Sequence, residues 1–478
     1  MKTSPKTKII VTIGPATDSI SRIEELVKSG ARIFRLNTSH GRKNEHKKSL
    51  IRVRRVSDKL KIPFTTILDL QGPRIRLGII ENVFNLDNGS KVILDPTVEY
   101  SKKLPIIPVD YKGIVNDVKK GDKILLNDGR IILNVLKVEG KIVRAKVISG
   151  GMLTSRKGLN IPGTTTSIPS ITEKDIEYIK FAVKNNVDYL ALSFVRCKED
   201  ILEAKRYLKK YKGNIPIIAK IEKPQAVKNI LSIIDVSDGI MVARGDLGIE
   251  ISAEKVPIVQ KKLIAEANQA NKPVIVATQM LESMIENPLP TRAETSDVAN
   301  AIIDGADAVM LSGETSIGKY PFNAVRTMHL IAKDIEKNDI GVNYDVTFRK
   351  RNVNNKDTQL FTVGLTKLFA DFPVKAIVVF TNDGNSAILS ARARSKLPVV
   401  AICDNKKVCS QINLFWGIKP FTFKINYSFN KSFINKIDQF LIKNTILKKG
   451  DKIIITAGLP YLTAEKTSFL KLHQIGMV

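Results

Sequence analysis

Along this chain, short runs of β-branched and other apolar residues alternate with helix-length amphipathic segments, the pattern of a parallel α/β fold. Eight runs read as strands: Lys8–Ile13, Arg32–Leu36, Thr65–Leu68, Asp188–Leu192, Ile215–Ala219, Gly239–Val242, Pro273–Ala277 and Ala308–Leu311. Helical segments such as Asp18–Ser29, Glu45–Leu60, Thr172–Asn185 and Ala253–Ala270 lie between them. Eight βα units predict a closed (β/α)8 TIM barrel before an open sheet. After the third run the alternation breaks. From Gln71 to Ser170 apolar and polar residues alternate, as in Lys123–Leu126 and Lys141–Val147, with turn signals at Asn127-Asp128-Gly129 and Glu139-Gly140. Residues 71–170 therefore read as a small β-barrel-like domain inserted into the larger barrel. Residues 1–70 and 171–340 together come close to the ~250 that such a barrel needs. An asparagine-rich polar stretch, Lys337 to Asp357, reads as a linker. Residues 341–478 then form a C-terminal α/β domain, with strands at Ala376–Phe380, Val399–Ile402 and Lys452–Thr456.

Composition narrows the class without naming the chemistry. At 478 residues, 43% hydrophobic and 26% charged, the chain fits a soluble protein of two or three domains. No apolar stretch approaches the ~18 residues of a membrane span. Met1 to Thr12 lacks the apolar core of a signal peptide, so a cytoplasmic location without a membrane partner is expected. Cys197, Cys403 and Cys409 are too few and too irregular for a disulfide framework or a zinc site. Four histidines leave little for histidine chemistry, so Lys, Arg, Asp, Glu and a hard metal are the reagents left. The formal charge of +29 admits a nucleic-acid binder. The basic residues are scattered along the whole chain, however, and only 6% of residues are aromatic, with no stacking platform and no basic tail. A lysine-rich solvated surface suited to anionic small substrates is the favoured reading, with no nucleic acid as partner.

Reactive groups in such barrels sit at the carboxyl ends of the strands. There the chain places Gly14-Pro15, Asn37 with Ser39, Asp69, Ser193, Lys220 with Glu222, Arg244 with Asp246, Thr278 with Gln279, and Ser312 with Glu314; Arg35 lies in the same fringe. This density of polar side chains argues for a cation-rich site. Lys220 and Glu222, two apart on a strand, share one face. Alone they could be a plain ion pair. Asp246 on the next strand end supplies a second hard oxygen ligand, and the two carboxylates suit Mg²⁺ completed by waters and substrate oxygens. Lys220 would then add positive charge beside the metal, which is what phosphoryl transfer requires. Gly245 and Gly248 would let a ligand approach the backbone. Gly313 to Lys319 has the spacing of a P-loop, but Tyr320 stands where Ser or Thr should hold the metal and Pro321 follows, so a turn opening a helix is expected instead.

The motifs Arg35-Leu-Asn-Thr-Ser-His-Gly41, Leu68-Asp-Leu-Gln-Gly-Pro-Arg-Ile-Arg76, Ala219-Lys-Ile-Glu222 and Met241-Val-Ala-Arg-Gly-Asp-Leu-Gly248 resemble the pyruvate kinase family. So do Ala277-Thr-Gln-Met-Leu-Glu-Ser-Met284, Pro290-Thr-Arg-Ala-Glu294 and Met310-Leu-Ser-Gly-Glu314. The resemblance runs in order over nearly the whole chain, strongly from Lys8 to about Met328 and more weakly beyond. It implies an enzyme that passes the phosphoryl group of phosphoenolpyruvate to ADP, giving pyruvate and ATP, and a homotetramer. It further implies that Arg35 holds the substrate phosphate, Lys220 neutralises the moving group, and Glu222 and Asp246 bind Mg²⁺ or Mn²⁺. The backbone at Gly245 would meet the substrate carboxylate. Thr278 would bind substrate and take part in protonating the enolate, with Ser193 and Ser312 assisting. Arg76 and Lys157 match nucleotide-contacting positions, and the inserted domain would close as a lid.

Asn37, Ser39 and Asp69 match ligands of the family's K⁺ site. The chain departs from many relatives by carrying Leu70 and Arg74 where those have Thr and Glu. A guanidinium there could supply the charge that K⁺ supplies elsewhere, so little or no need for K⁺ is expected. Thr381 and Ser386, in Thr381-Asn-Asp-Gly-Asn-Ser386, resemble the loop that binds an activating sugar phosphate; an ordinary helix-opening turn is the other reading, and a nucleotide effector stays open. Two further function classes remain to be weighed. One is a metal-dependent barrel aldolase or lyase of enolpyruvate chemistry. The other is a non-catalytic binder of anions or nucleic acid.

Overall fold

The eight apolar runs become strands because both of their faces are covered. The strands are β1 (Lys8–Thr12), β2 (Ile33–Asn37), β3 (Thr65–Asp69), β4 (Tyr189–Leu192), β5 (Ile217–Ile221), β6 (Gly239–Ala243), β7 (Val274–Ala277) and β8 (Ala308–Leu311). Ile9, Val11, Phe34, Leu36 and Leu68 pack outward with the helices, while Ile10, Ile33, Ile67, Ile218 and Met241 pack inward. Period-two alternation with apolar residues on both sides is the mark of a parallel sheet buried between layers. All eight strands pair in parallel with their sequence neighbours, and β8 closes onto β1 with Lys8 opposite Ala308 and Val11 opposite Leu311. This computed structural model describes residues 4–164, 167–338, 373–424, 431–457 and 469–477.

Around the barrel run α1 (Ile20–Ser29), α2 (Lys43–Leu60), α3 (Glu173–Lys184), α4 (Lys198–Lys210), α5 (Arg244–Ile251), α6 (Val256–Gln269), α7 (Arg292–Ile303) and α8 (Pro321–Lys337). Their starts follow local chemistry. The Ser19 hydroxyl accepts from the Arg22 N–H to open α1, and Thr172 with Asp175 and Thr291 with Glu294 form capping boxes on α3 and α7.

Between β3 and α3 lies a separate β unit with its own apolar core, centred on Leu77, Leu94, Ile124, Leu133 and Val143. Its main sheet has six strands, from Leu159–Asn160 at one edge to Ile106–Pro108 at the other. The expected turns are present: Asn127, Asp128 and Gly129 all take positive φ, and Gly140 (φ 57°) links Ile131–Glu139 to Ile142–Ser149. Beyond residue 372 a five-stranded sheet holds β9 (Val374–Phe380), β10 (Val399–Cys403), β11 (Ile418–Thr422), β12 (Lys452–Ala457) and β13 (Phe469–Gln474), in the order β11-β10-β9-β12-β13. With it pack α9 (Asn385–Arg392), α10 (Lys406–Ile412) and α11 (Lys431–Asn444). Most of the expected linker, Lys337 to Asp357, lies outside the described residues. Cys403 and Cys409 form one local disulfide, Cα atoms 6.3 Å apart, so the cysteines are not all unpaired although they build no framework.

The C-terminal sheet and helices sit under the amino ends of the barrel strands. Arg392 on α9 pairs with Asp307 just before β8 at 2.9 Å, and the Tyr189 hydroxyl donates to Gln411 O at 3.0 Å. The carboxyl ends are left facing the inserted domain. Among the described residues no helix is long and apolar enough to cross a membrane.

Candidate active site

Four charged side chains meet where β2, β3 and β5 end. Arg35 Nε and Nη2 both lie 2.7 Å from Asp69 Oδ2, and its Nη1 donates to Thr12 Oγ1 at 3.0 Å. On the other side of the same carboxylate, Lys220 Nζ stands 3.2 Å from Asp69 Oδ1. That ammonium also reaches Glu222 Oε1 at 2.9 Å and donates to Ser193 Oγ at 2.7 Å. Ser193 in turn donates to Leu70 O at 2.7 Å. Asp69 and Glu222 are each only 1% exposed.

Burial alone would push the Asp69 carboxyl up, but the Lys220 and Arg35 cations outweigh it and hold the group below the ordinary carboxylate range. Burial would likewise depress Lys220, yet Asp69 and Glu222 raise it, so the ammonium is firmly charged. Glu222 goes the other way: burial raises it, Lys220 opposes, and the nearby Asp246 charge raises it again. Two cations and two carboxylates thus compensate one another, with the strain concentrated on Glu222.

Glu222 Oε2 accepts from the Phe194 N–H at 2.7 Å. Oε1 has the Lys220 ammonium at ion-pair distance but no well-aligned hydrogen bond. A buried oxygen left in this condition, beside the second carboxylate of Asp246, fits a divalent cation. Asp246 itself belongs to the first turn of α5 and not to the strand end proper. Among the described residues no three His, Cys, Asp or Glu side chains cluster to hold a metal unaided, so a bound metal would draw its remaining ligands from water and substrate.

Thr278, just past β7, takes φ 68°, a conformation that costs a β-branched residue ~1–3 kcal/mol. Its hydroxyl donates to Ala277 O at 2.6 Å and accepts from the Gly245 N–H at 2.8 Å, tying the β6 and β7 ends together. Ser312 Oγ is buried without a hydrogen-bond partner, while its N–H donates to Glu314 Oε2 at 2.7 Å. Asn37 lies opposite Asp69 in the β2–β3 register, and its Oδ1 accepts from the Ser39 N–H at 3.1 Å.

Two family models match this chain: "Pyruvate kinase, barrel domain" over residues 4–325 and "Pyruvate kinase, alpha/beta domain" over residues 364–473. The chain belongs to the pyruvate kinase family. The pyruvate kinases of Staphylococcus aureus strains USA300, NCTC 8325 / PS 47 and COL are each 40% identical to it over 476 residues, covering 98% of this chain and 80% of theirs. Pyruvate kinase function follows, as a transferase of the kinase class. Neither the aldolase or lyase reading nor the binding-protein reading is favoured.

Other candidate residues stand farther from the charged box. Arg76 pairs with Gly158 in an isolated antiparallel bridge, with Leu77 N–H donating to Lys157 O at 2.9 Å, so Arg76 and Lys157 are neighbours on the inserted domain's side. Arg74 does not turn toward Asp69. Its guanidinium lies over Gly158 and pairs with Asp128 at 2.8 Å. In the C-terminal domain, Thr381 Oγ1 accepts from the Gly384 N–H at 2.9 Å, and Gly384 (φ 89°) opens α9, which carries Ser386. Lys319 of the P-loop-like segment pairs with Glu286 at 2.5 Å, and Gly313 opens a helix of a single turn, so no phosphate cradle forms there. Thr12 was not foreseen from the sequence. Its signal was present: it is the one hydroxyl closing the otherwise apolar Ile9–Val11 run.

Proposed function

We propose that this member of the family transfers the phosphoryl group of phosphoenolpyruvate to ADP, releasing pyruvate and ATP in the cytoplasm as a step of glycolysis. The observation that carries the reading is the Lys220 ammonium, held among Ser193, Asp69 and Glu222 with Asp246 beside it. Arg35 grips the substrate phosphate, and Lys220 cancels the negative charge that develops on the group in transit. Glu222 and Asp246 hold Mg²⁺ or Mn²⁺, which when bound neutralises charge on the phosphoryl and substrate oxygens. The Gly245 amide region meets the substrate carboxylate. Thr278 positions substrate and serves protonation of the enolate, with Ser193 and Ser312 in the same relay. Arg76 and Lys157 bind the nucleotide, and the inserted domain keeps water from competing with ADP.

Asn37, Ser39 and Asp69 form a K⁺ site whose occupancy matters little to turnover. Support comes from Arg35 and Lys220 both already neutralising Asp69; Arg74, expected to supply that charge, is instead paired with Asp128 and adds none there. Thr381 and Ser386 belong to an effector loop for a sugar phosphate or nucleotide, and the working assembly is a homotetramer.

The test is pyruvate release from phosphoenolpyruvate with ADP and Mg²⁺ withheld in turn. Turnover that needs both is expected. Pyruvate formed without ADP would favour the lyase reading. No turnover, with salt-sensitive binding to RNA or DNA, would favour the binder.

A further inference from the structure

Thr278 and the following Gln279 both take positive φ, 68° and 53°. Unlike the Asn-Asp turn of the inserted domain, a β-branched threonine followed by glutamine in that region persists only where the surroundings over-determine it. One dipeptide does so. Arg244, at the start of α5 and 9% exposed, aims its guanidinium at this turn. Nη2 donates to Thr278 O at 2.8 Å and Gln279 O at 3.0 Å and lies 2.8 Å from Met280 Sδ, while Nε reaches Thr278 O at 3.3 Å. The next residue, Gly245, donates its N–H to the Thr278 hydroxyl. Nη1 is anchored by Asp297 Oδ1 on α7 at 2.6 Å.

We propose that Arg244 is a positioning residue for proton transfer at Thr278, with Asp297 holding the guanidinium in place. The proposal rests on the role assigned to Thr278 above. A planar guanidinium spans several acceptors and a carboxylate at once; a lysine ammonium is a single compact charge that cannot reproduce that fan. Loss of the fan lets the turn relax toward ordinary backbone angles and swings the hydroxyl away from Gly245 and the substrate. A purely structural arginine would instead lower stability and leave the proton-transfer step alone.

The test compares the full-length wild type with Arg244→Lys, Thr278→Ala and the double variant. The readout is exchange of pyruvate methyl hydrogens into D₂O, followed by NMR with ATP and Mg²⁺ present. Arg244→Lys should slow exchange by about tenfold to a hundredfold, part of what a positioned proton-transfer group supplies, while the KM for phosphoenolpyruvate changes little. Added to Thr278→Ala it should cost almost nothing further, because it acts through the hydroxyl already removed. Wild-type exchange in Arg244→Lys with slow exchange in Thr278→Ala overturns the proposal but leaves the role of Thr278 standing. An undiminished Arg244→Lys loss in the Thr278→Ala background also overturns it. Wild-type exchange in Thr278→Ala removes both. Should Arg244→Lys fail to fold, Asp297→Ala replaces it: slowed exchange at normal KM supports the proposal, and an unchanged rate overturns it.

Discussion

Replacing Lys220 with methionine removes one charge from a box that four charges balance. The ammonium stands 2.9 Å from Glu222 Oε1 and 3.2 Å from Asp69 Oδ1, and both carboxylates are buried. Asp69 keeps Arg35 at 2.7 Å, but Glu222 retains only the Phe194 amide. Removing one partner of a buried pair costs about 3–5 kcal/mol of stability, because the other is left uncompensated. Burial and the Asp246 charge already push the Glu222 carboxyl up, and without Lys220 only the Phe194 amide opposes them. Its folded value then lies further above its unfolded one, so the folded variant holds a proton that the unfolded chain releases. Relative to wild type, the variant is therefore closest in stability at low pH and falls behind as pH rises through that raised value. Catalysis loses a preorganised positive charge at the moving phosphoryl group, worth about 10²–10³ in kcat. Steady-state kinetics and thermal melts at acid, neutral and mildly alkaline pH measure both effects. A kcat within about tenfold of wild type, or a variant whose deficit shrinks as pH rises, would refute the reasoning.

Exchanging K⁺ for tetramethylammonium should cost less than about tenfold in kcat, because Arg35 and Lys220 already neutralise Asp69, and a larger loss would sink that account. Lys8 is pushed down to about 7, first by burial and then by Lys419 and Arg32. The unfolded chain binds that proton up to about pH 10, so wild-type stability measured against Lys8→Met should rise by up to ~1.4 kcal/mol per pH unit between pH 7 and pH 9 in denaturant melts, and a flat difference would contradict it. Arg392 and Asp307 are buried at 3% and 0% side-chain exposure, and Asp307 Oδ1 also accepts from the Trp416 N–H. Arg392→Met should cost about 3–5 kcal/mol and split the melting curve as the C-terminal domain leaves the barrel; an unchanged single transition would contradict it.

Much of this architecture is legible in the residues because burial on both faces forces it. The eight barrel strands are continuous apolar runs, and a polar side chain at the end of each marks the site. In the C-terminal sheet, β11 and β13 escape notice for a physical reason. Both are edge strands: β11 carries Pro420, which an interior strand would not tolerate, and β13 breaks alternation by exposing the consecutive Lys471 and Leu472. Charged side chains at strand ends could be named, but not whom they touch. Arg74 was expected to serve the Asp69 cluster, and its long side chain finds Asp128 instead. The left-handed turn at Thr278 has no sequence signal of its own, because the contacts imposing it come from Arg244 and Gly245, 34 and 33 positions away.

The central claim is that one phosphoryl group passes intact from substrate to nucleotide at the Lys220–Glu222–Asp246 site. Phosphoenolpyruvate labelled in its phosphate, mixed with ADP and Mg²⁺ over a single turnover, tests this most directly. The account predicts label in the terminal phosphate of ATP, one for each pyruvate formed, with transfer largely lost in Lys220→Met. Label appearing in inorganic phosphate at the same rate whether or not ADP is present would contradict it.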